Sequence, residues 1–267
     1  MKKLITYITA GYPSPDWTVQ LLHRLVEVGV DGVELGIPFS DPVADGPVIQ
    51  EVNKRALEHG FKLKHLFKIA EETKKLPLKR YFMGYFNIFY HRGVIEFARE
   101  ARKLGVNGFI IPDLPYEEAI PYLHLFPLIP FVAPTDSPDR IEKVVTGGRE
   151  FVYLVAYAGI TGANKQEEIG EVIRAVRRAT SLPIYLGFGV TPENVMEKGR
   201  NVDGVVVGTA LVREFLEGDG NWDKIMERIV KKAQILKERL EGIEVKEVEK
   251  GKGEETGKNS VKKRTEG

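Results

Sequence analysis

The 267-residue chain contains no cysteine. That excludes disulfides, zinc–thiolate centres and a cysteine nucleophile. Histidine is scarce too, and the five present (His23, His59, His65, His91, His124) are scattered without metal-ligand spacing, so no metal site is expected. No apolar run approaches the roughly 20 residues that span a bilayer. Met1-Lys2-Lys3 leads straight into a strand pattern with no signal-peptide core, so a cytoplasmic protein is expected. Neither charge dominates: 39 Lys and Arg against 38 Asp and Glu leave +1, which offers no electrostatic case for nucleic acid or an anionic membrane.

What the chain does have is a regular alternation of short apolar runs and helical patterns, without hairpin turns. Strands are expected at about Leu4–Ala10, Val33–Leu35, Arg80–Gly84, Phe109–Ile111, Ile129–Ala133, Phe151–Val155, Ile184–Gly187 and Val205–Val207. Helical crossovers between parallel strands follow from this pattern. Gly29-Val30-Asp31-Gly32-Val33, Gly105-Val106-Asn107-Gly108-Phe109 and Asn201-Val202-Asp203-Gly204-Val205 repeat one helix-end to strand-start device. Eight repeated βα units mean a closed (β/α)₈ TIM barrel in a single domain, residues 1–240, with an open doubly wound sheet as the lesser option. Tyr85 to Tyr90 is expected to be an aromatic loop, Glu117 to Leu125 a short helix and Asp223 to Leu240 the last helix. Residues 241–267, poor in apolar side chains, are expected to form a charged, disordered tail.

The stretch Val33 to Pro47, VELGIPFSDPVADGP, carries the most chemistry. Alternation puts Val33 and Leu35 on one face of a strand and Glu34 on the other. If the first two pack against helices, Glu34 points into the barrel, where desolvation raises its pKa and suits it to acid/base work. Asp41 and Asp45 lie on the Gly/Pro-rich connection after that strand. The same acids also fit a structural partner for an arginine (Glu34) and turn formers (Asp41, Asp45). A second half-site is expected on the loops after strands seven and eight, Gly187-Phe188-Gly189-Val190-Thr191 and Val207-Gly208-Thr209-Ala210-Leu211. Glycines there let backbone N–H groups approach a phosphate, and a helix starting at Thr209 aims its positive end at it. Gly159-Ile160-Thr161-Gly162 offers a third wall, and Met83, Tyr85, Tyr153 and Phe188 supply apolar and aromatic walls for a flat ring. Each glycine loop also fits an ordinary βα turn. No lysine stands at a strand's C-terminal end, which argues against a Schiff-base aldolase.

With these residues in place, ELGIPFSDPVADGP followed by Ile49-Gln50 resembles the signature of the tryptophan synthase alpha chain family. Ile8-Thr9-Ala10-Gly11-Tyr12-Pro13, Pro112-Asp113-Leu114-Pro115, Tyr153-Leu154-Val155 and the glycine loops extend the match in order from residue 4 to about 240. The resemblance implies a TIM-barrel lyase that cleaves indole-3-glycerol phosphate to indole and D-glyceraldehyde 3-phosphate in tryptophan biosynthesis. It implies Glu34 as general acid/base and Asp45 as acceptor for the indole N–H. It implies a substrate contact from Tyr153, phosphate contacts from Gly162, Gly187, Gly189, Gly208 and Thr209, and signalling to a partner through Asp41; Met83, Phe188 and Thr161 are expected to bind substrate as walls of the same site. That partner is a beta chain carrying pyridoxal phosphate in an alpha2-beta2 complex, with no cofactor in this chain. Competing readings are a phosphoribosyl anthranilate isomerase-type barrel and a non-catalytic, phosphate-ligand-binding regulatory subunit of a beta-type partner. Departures from the family pattern are a start at the first strand without a floor-plugging helix, a short Pro115 to Pro130 segment, Ala156-Tyr157 after strand six, and the charged tail.

Overall fold

The structure, a computed structural model, describes residues 1–155, 163–218 and 220–260, and leaves aside the side chains of 163–167 and 244–260. Eight parallel strands form one sheet: β1 (Lys3–Thr9), β2 (Gly32–Gly36), β3 (Lys79–Met83), β4 (Gly108–Ile110), β5 (Phe131–Val132), β6 (Val152–Val155), β7 (Ile184–Gly187) and β8 (Gly204–Val207). Their order is β4-β3-β2-β1-β8-β7-β6-β5. The ends meet at a single parallel bridge, Phe109 to Leu128, held by the bonds Phe109 N–H to Pro127 O and Ile129 N–H to Phe109 O, both 2.9 Å. The sheet is therefore the expected eight-stranded barrel, with one thin seam. Strand β5 is only two residues long, because Pro127 and Pro130 lack the N–H groups a longer ladder needs.

Helices cover the barrel: α1 (Pro15–Glu27), α2 (Pro47–Glu58), α3 (Leu63–Glu72), α4 (Phe86–Arg92), α5 (Val94–Lys103), α6 (Tyr116–Ala119), α7 (Pro138–Thr146), α8 (Ala163–Ala179), α9 (Val195–Lys198), α10 (Thr209–Val212), α11 (Glu214–Glu217) and α12 (Trp222–Ser260). Sequence chemistry sets their ends. Ser14 and Ser137 cap α1 and α7 through side-chain bonds to Trp17 N and Arg140 N, and each helix opens on proline. Gly29 and Gly105, the first residues of the repeated helix-to-strand device, have φ of 81° and 70°, a left-handed turn glycine adopts without strain. The core is continuous, and its aromatic centre joins Phe82, Phe89, Phe97, Phe109 and Phe126.

Three local expectations change. Tyr85 to Tyr90 is largely helix, not loop, because Phe89 turns inward onto Phe97, with ring centroids 4.8 Å apart. The helix expected over Glu117 to Leu125 is one α turn and then a 3₁₀ turn, Ile120–Tyr122, since Pro121 interrupts it. The last helix does not stop at Leu240: α12 runs on to Ser260, and Ile243, 4% exposed, still packs in the core near Gly199. The tail expected from 241 thus begins inside α12, and 261–267 lie outside the described residues.

Candidate active site

Strand alternation aims Glu34 as expected. Val33 and Leu35 are fully buried in the core, and Glu34, 1% exposed, faces the barrel interior from β2. Its Oε1 has no hydrogen-bond partner among the described residues. Burial, with the Asp45 charge adding to it, pushes the Glu34 carboxyl up to about 8. The group therefore holds its proton at neutral pH.

Asp45 sits on the connection between β2 and α2. The Tyr85 hydroxyl donates to Asp45 Oδ2 at 3.0 Å and accepts from the Ala44 N–H at 3.0 Å, so one phenol pins the acid loop to the barrel mouth. Phe39 stacks on the Tyr85 ring at 5.3 Å. Burial pushes the Asp45 carboxyl up to about 6, against the Tyr85 bond, which lowers it. Near neutrality the pair thus divides into a protonated Glu34 and an ionised Asp45.

Two tyrosines build the walls by one device. Tyr7 pairs with Glu34 across β1 and β2, and its ring lies diagonally over Gly36, where a Cβ would come within 2.2 Å of the phenol oxygen. Tyr153 pairs with Tyr185 across β6 and β7 and lies over Gly187 in the same way, with 2.2 Å to Cε1. Gly36 and Gly187 are glycine because these rings occupy the space of a side chain.

Glu34, Asp45, Met83, Tyr153, Phe188, Gly189, Gly208 and Thr209 are brought together around one cavity of about 50 Å³. Tyr7, Ile49, Val190 and Val206 complete it. Of the sequence candidates, Gly187 is not in this lining, because it seats Tyr153. Asp41 is exposed, bonded to the Ser40 hydroxyl, and outside the cavity. Thr161 and Gly162, with Ala156 and Tyr157, lie outside the described residues. The helix starting at Thr209 is only four residues long, so anion binding here rests on backbone N–H groups more than on a helix dipole. Sequence reading did not single out Tyr7; its signal was an aromatic residue on a strand, two residues before the position that pairs with a glycine on the neighbouring strand.

Larger cavities of about 230 and 690 Å³ lie at the β4–β5 seam and at the opposite barrel end. Of the charged groups there, Arg140 pairs with Glu117, Lys79 with Glu150 and Lys3 with Asp31, while Arg80 donates to the carbonyls of Ala70 and Gly105. Among the described residues, the carboxyls pushed above their ordinary range, Glu34 and Asp45, both belong to the small cavity. Among the same residues no group of three His, Cys, Asp or Glu side chains is placed to hold a metal ion, and no helix is long and apolar enough to cross a membrane.

The family model for the tryptophan synthase alpha chain matches residues 1–241. The tryptophan synthase alpha chain of Wolinella succinogenes is 43% identical over 246 residues, covering 90% of this chain and 96% of that protein. The alpha chain of Thermoanaerobacter pseudethanolicus is 39% identical over 248 residues, with coverages of 90% and 94%. Among solved structures, the alpha subunit from Legionella pneumophila superposes with a TM-score of 0.81 at 31% identity, covering 90% of this chain and 93% of that one. A tryptophan synthase structure from Mycobacterium tuberculosis gives 0.80 at 31%, with coverages of 90% and 92%. The chain belongs to the tryptophan synthase alpha chain family, lyases that cleave indole-3-glycerol phosphate in tryptophan biosynthesis.

Proposed function

We propose that Glu34 and Asp45 perform the cleavage as a divided acid and base. The observation that carries this is Glu34 itself: a buried, protonated carboxyl with an unpartnered oxygen, facing an ionised carboxylate across a cavity. The neutral Glu34 carboxyl gives its proton to C3 of the indole ring, and Asp45 accepts the ring N–H and stabilises the charge that develops on nitrogen. Glu34, now a carboxylate, takes the proton from the glycerol hydroxyl on the carbon bonded to C3. The C3–carbon bond then breaks, its electrons return to the ring, and indole and D-glyceraldehyde 3-phosphate leave. Glu34 ends protonated, as it began, and the ring plays the electron-sink role that an imine plays in lysine aldolases.

Tyr153, Met83 and Phe188 hold the ring, and the backbone of Gly189, Gly208 and Thr209 takes the phosphate; Thr161 and Gly162, the other expected contacts, lie outside the described residues. The cavity of about 50 Å³ holds no more than a water or two, so admitting a bicyclic ring moves rim side chains, Phe188 at 36% exposure among them. The partner is a beta chain carrying pyridoxal phosphate, in an alpha2-beta2 complex, and the compartment is the cytoplasm. Supporting a partner are the apolar side chains exposed on the segments after β2, β3 and β4: Val43, Tyr90 and Ile120, at 80%, 67% and 54%. In this reading Asp41, exposed on the same acid loop, carries the signal to the partner.

Indole release from indole-3-glycerol phosphate, with and without an added beta chain, tests the reading. Turnover that rises with the partner and disappears in Glu34→Gln is expected. Substantial residual cleavage in Glu34→Gln would remove Glu34 from the chemistry.

A further inference from the structure

The loop after β7 carries backbone strain that nothing in the loop itself relieves. Phe188 and Gly189 both have positive φ, 69° and 64°, and for phenylalanine this conformation is costly. Its support comes from α9. Lys198 Nζ donates to Phe188 O at 3.2 Å and to Gly189 O at 3.0 Å. Asn194 Nδ2 donates to Gly189 O at 2.8 Å, and Asn194 Oδ1 accepts from Thr191 N at 2.8 Å. Two carbonyls in succession are thus drawn to the α9 side of the loop.

Peptide planarity turns that pull into an orientation of the donors. In a trans peptide the N–H is antiparallel to the C=O of the same unit, and the only cis bond among the described residues is Tyr12-Pro13. Drawing Phe188 O and Gly189 O toward Lys198 therefore turns the N–H groups of Gly189 and Val190 the other way. Gly189 and Val190 line the cavity, and Lys198 does not. Neither N–H has a protein acceptor among the described residues. Two unpaired donors in succession at a cavity wall are suited to an anion, and the Lys198 ammonium behind them adds positive potential.

We propose that Lys198 is a positioning residue for the substrate's phosphate: it never touches the anion, but holds the Phe188-Gly189 carbonyls so that the Gly189 and Val190 N–H groups face it. The inference rests on the proposed phosphate placement, and it adds a residue, on another element, that the placement depends on. Asn194 is the auxiliary clamp, bonding one of the two carbonyls.

Titration calorimetry of glycerol 3-phosphate into the whole chain tests it, alongside steady-state kinetics with indole-3-glycerol phosphate. Lys198→Met is expected to weaken glycerol 3-phosphate binding by about tenfold or more, the scale of charge-assisted bonds, and to raise KM far more than it lowers kcat. Lys198→Arg restores most of the affinity, and Asn194→Ala has a smaller effect in the same direction. Indole-3-propanol, which carries the ring without phosphate, is expected to bind wild type and Lys198→Met equally. Equal glycerol 3-phosphate affinity in wild type and Lys198→Met overturns the inference, as does an equal loss of both ligands, which marks a merely structural lysine. A wild-type chain that binds indole-3-propanol but not glycerol 3-phosphate overturns the phosphate placement itself.

Discussion

Replacing Glu34 with glutamine is expected to make the protein more stable while abolishing its chemistry, and the gain is expected to depend on pH. The Glu34 carboxyl, ordinarily near 4.5, lies at about 8 in the fold. Between those values the unfolded chain has lost the proton and the folded chain has kept it, so folded-state stability falls as pH rises. Each pH unit is worth about 1.4 kcal/mol. The cost of keeping Glu34 is thus under about 1 kcal/mol at pH 5, roughly 3 kcal/mol at pH 7, and levels off near 5 kcal/mol above pH 8. Water entry and relaxation around the ionised group reduce the upper figure, so about half of it is a fair working value. Glutamine keeps the shape and does not titrate, so its own burial cost is the same at every pH. Urea unfolding of wild type and Glu34→Gln at pH 5, 7 and 9 reads the difference directly. The advantage of the variant should grow by about 2 to 4 kcal/mol from pH 5 to pH 9. A constant difference across that range would refute the assignment of Glu34 as a buried carboxyl held protonated by its surroundings.

The same two carboxyls set the rate profile: cleavage should fall below about pH 6 as Asp45 takes a proton and above about pH 8 as Glu34 loses one, a bell read from kcat/KM against pH. Tyr85→Phe removes the bond that lowers Asp45, so the acid limb of that bell should move to higher pH, and an unmoved limb would detach Tyr85 from Asp45. Gly187→Ala drives a methyl into the Tyr153 ring, and a loss of about 1–3 kcal/mol by thermal or urea unfolding is expected; a fully stable variant would show that the ring has another resting place. Val43→Asp, on the exposed acid loop, should leave the chain's intrinsic turnover nearly intact and weaken its activation by a beta chain, measured by titrating the partner into the indole-release assay.

Glu34 was legible in the sequence because strand periodicity is local: one apolar residue on either side fixes which way it points. The eight-fold alternation was legible for the same reason, and the repeated glycine turns reinforced it. Tyr85 illustrates what was not. It was expected as an aromatic wall, but it lies outside the cavity lining, and its bond to Asp45 joins positions forty residues apart on different loops, which no local pattern carries. Gly187 read as a phosphate contact because glycine after a strand signals close approach. The approaching group is the Tyr153 ring, and only the inter-strand register reveals it. Lys198 escaped for a third reason: its work is done on two carbonyl oxygens, which every residue has.

The single Phe109–Leu128 bridge between β4 and β5 gives the cylinder a direction of failure. A ring of eight staves hooped evenly resists opening anywhere; this one is fastened at that joint by two backbone hydrogen bonds, beside a cavity of about 230 Å³ under the short α6 turn. Thermal breathing will part that joint first, leaving two four-stranded fans, β1–β4 and β5–β8, still joined along β1 and β8. Glu34 and Asp45 sit in the first fan and the Gly189 loop in the second. Whatever stiffens the β4–β5 joint therefore also steadies the distance between the two carboxyls and the Gly189 loop.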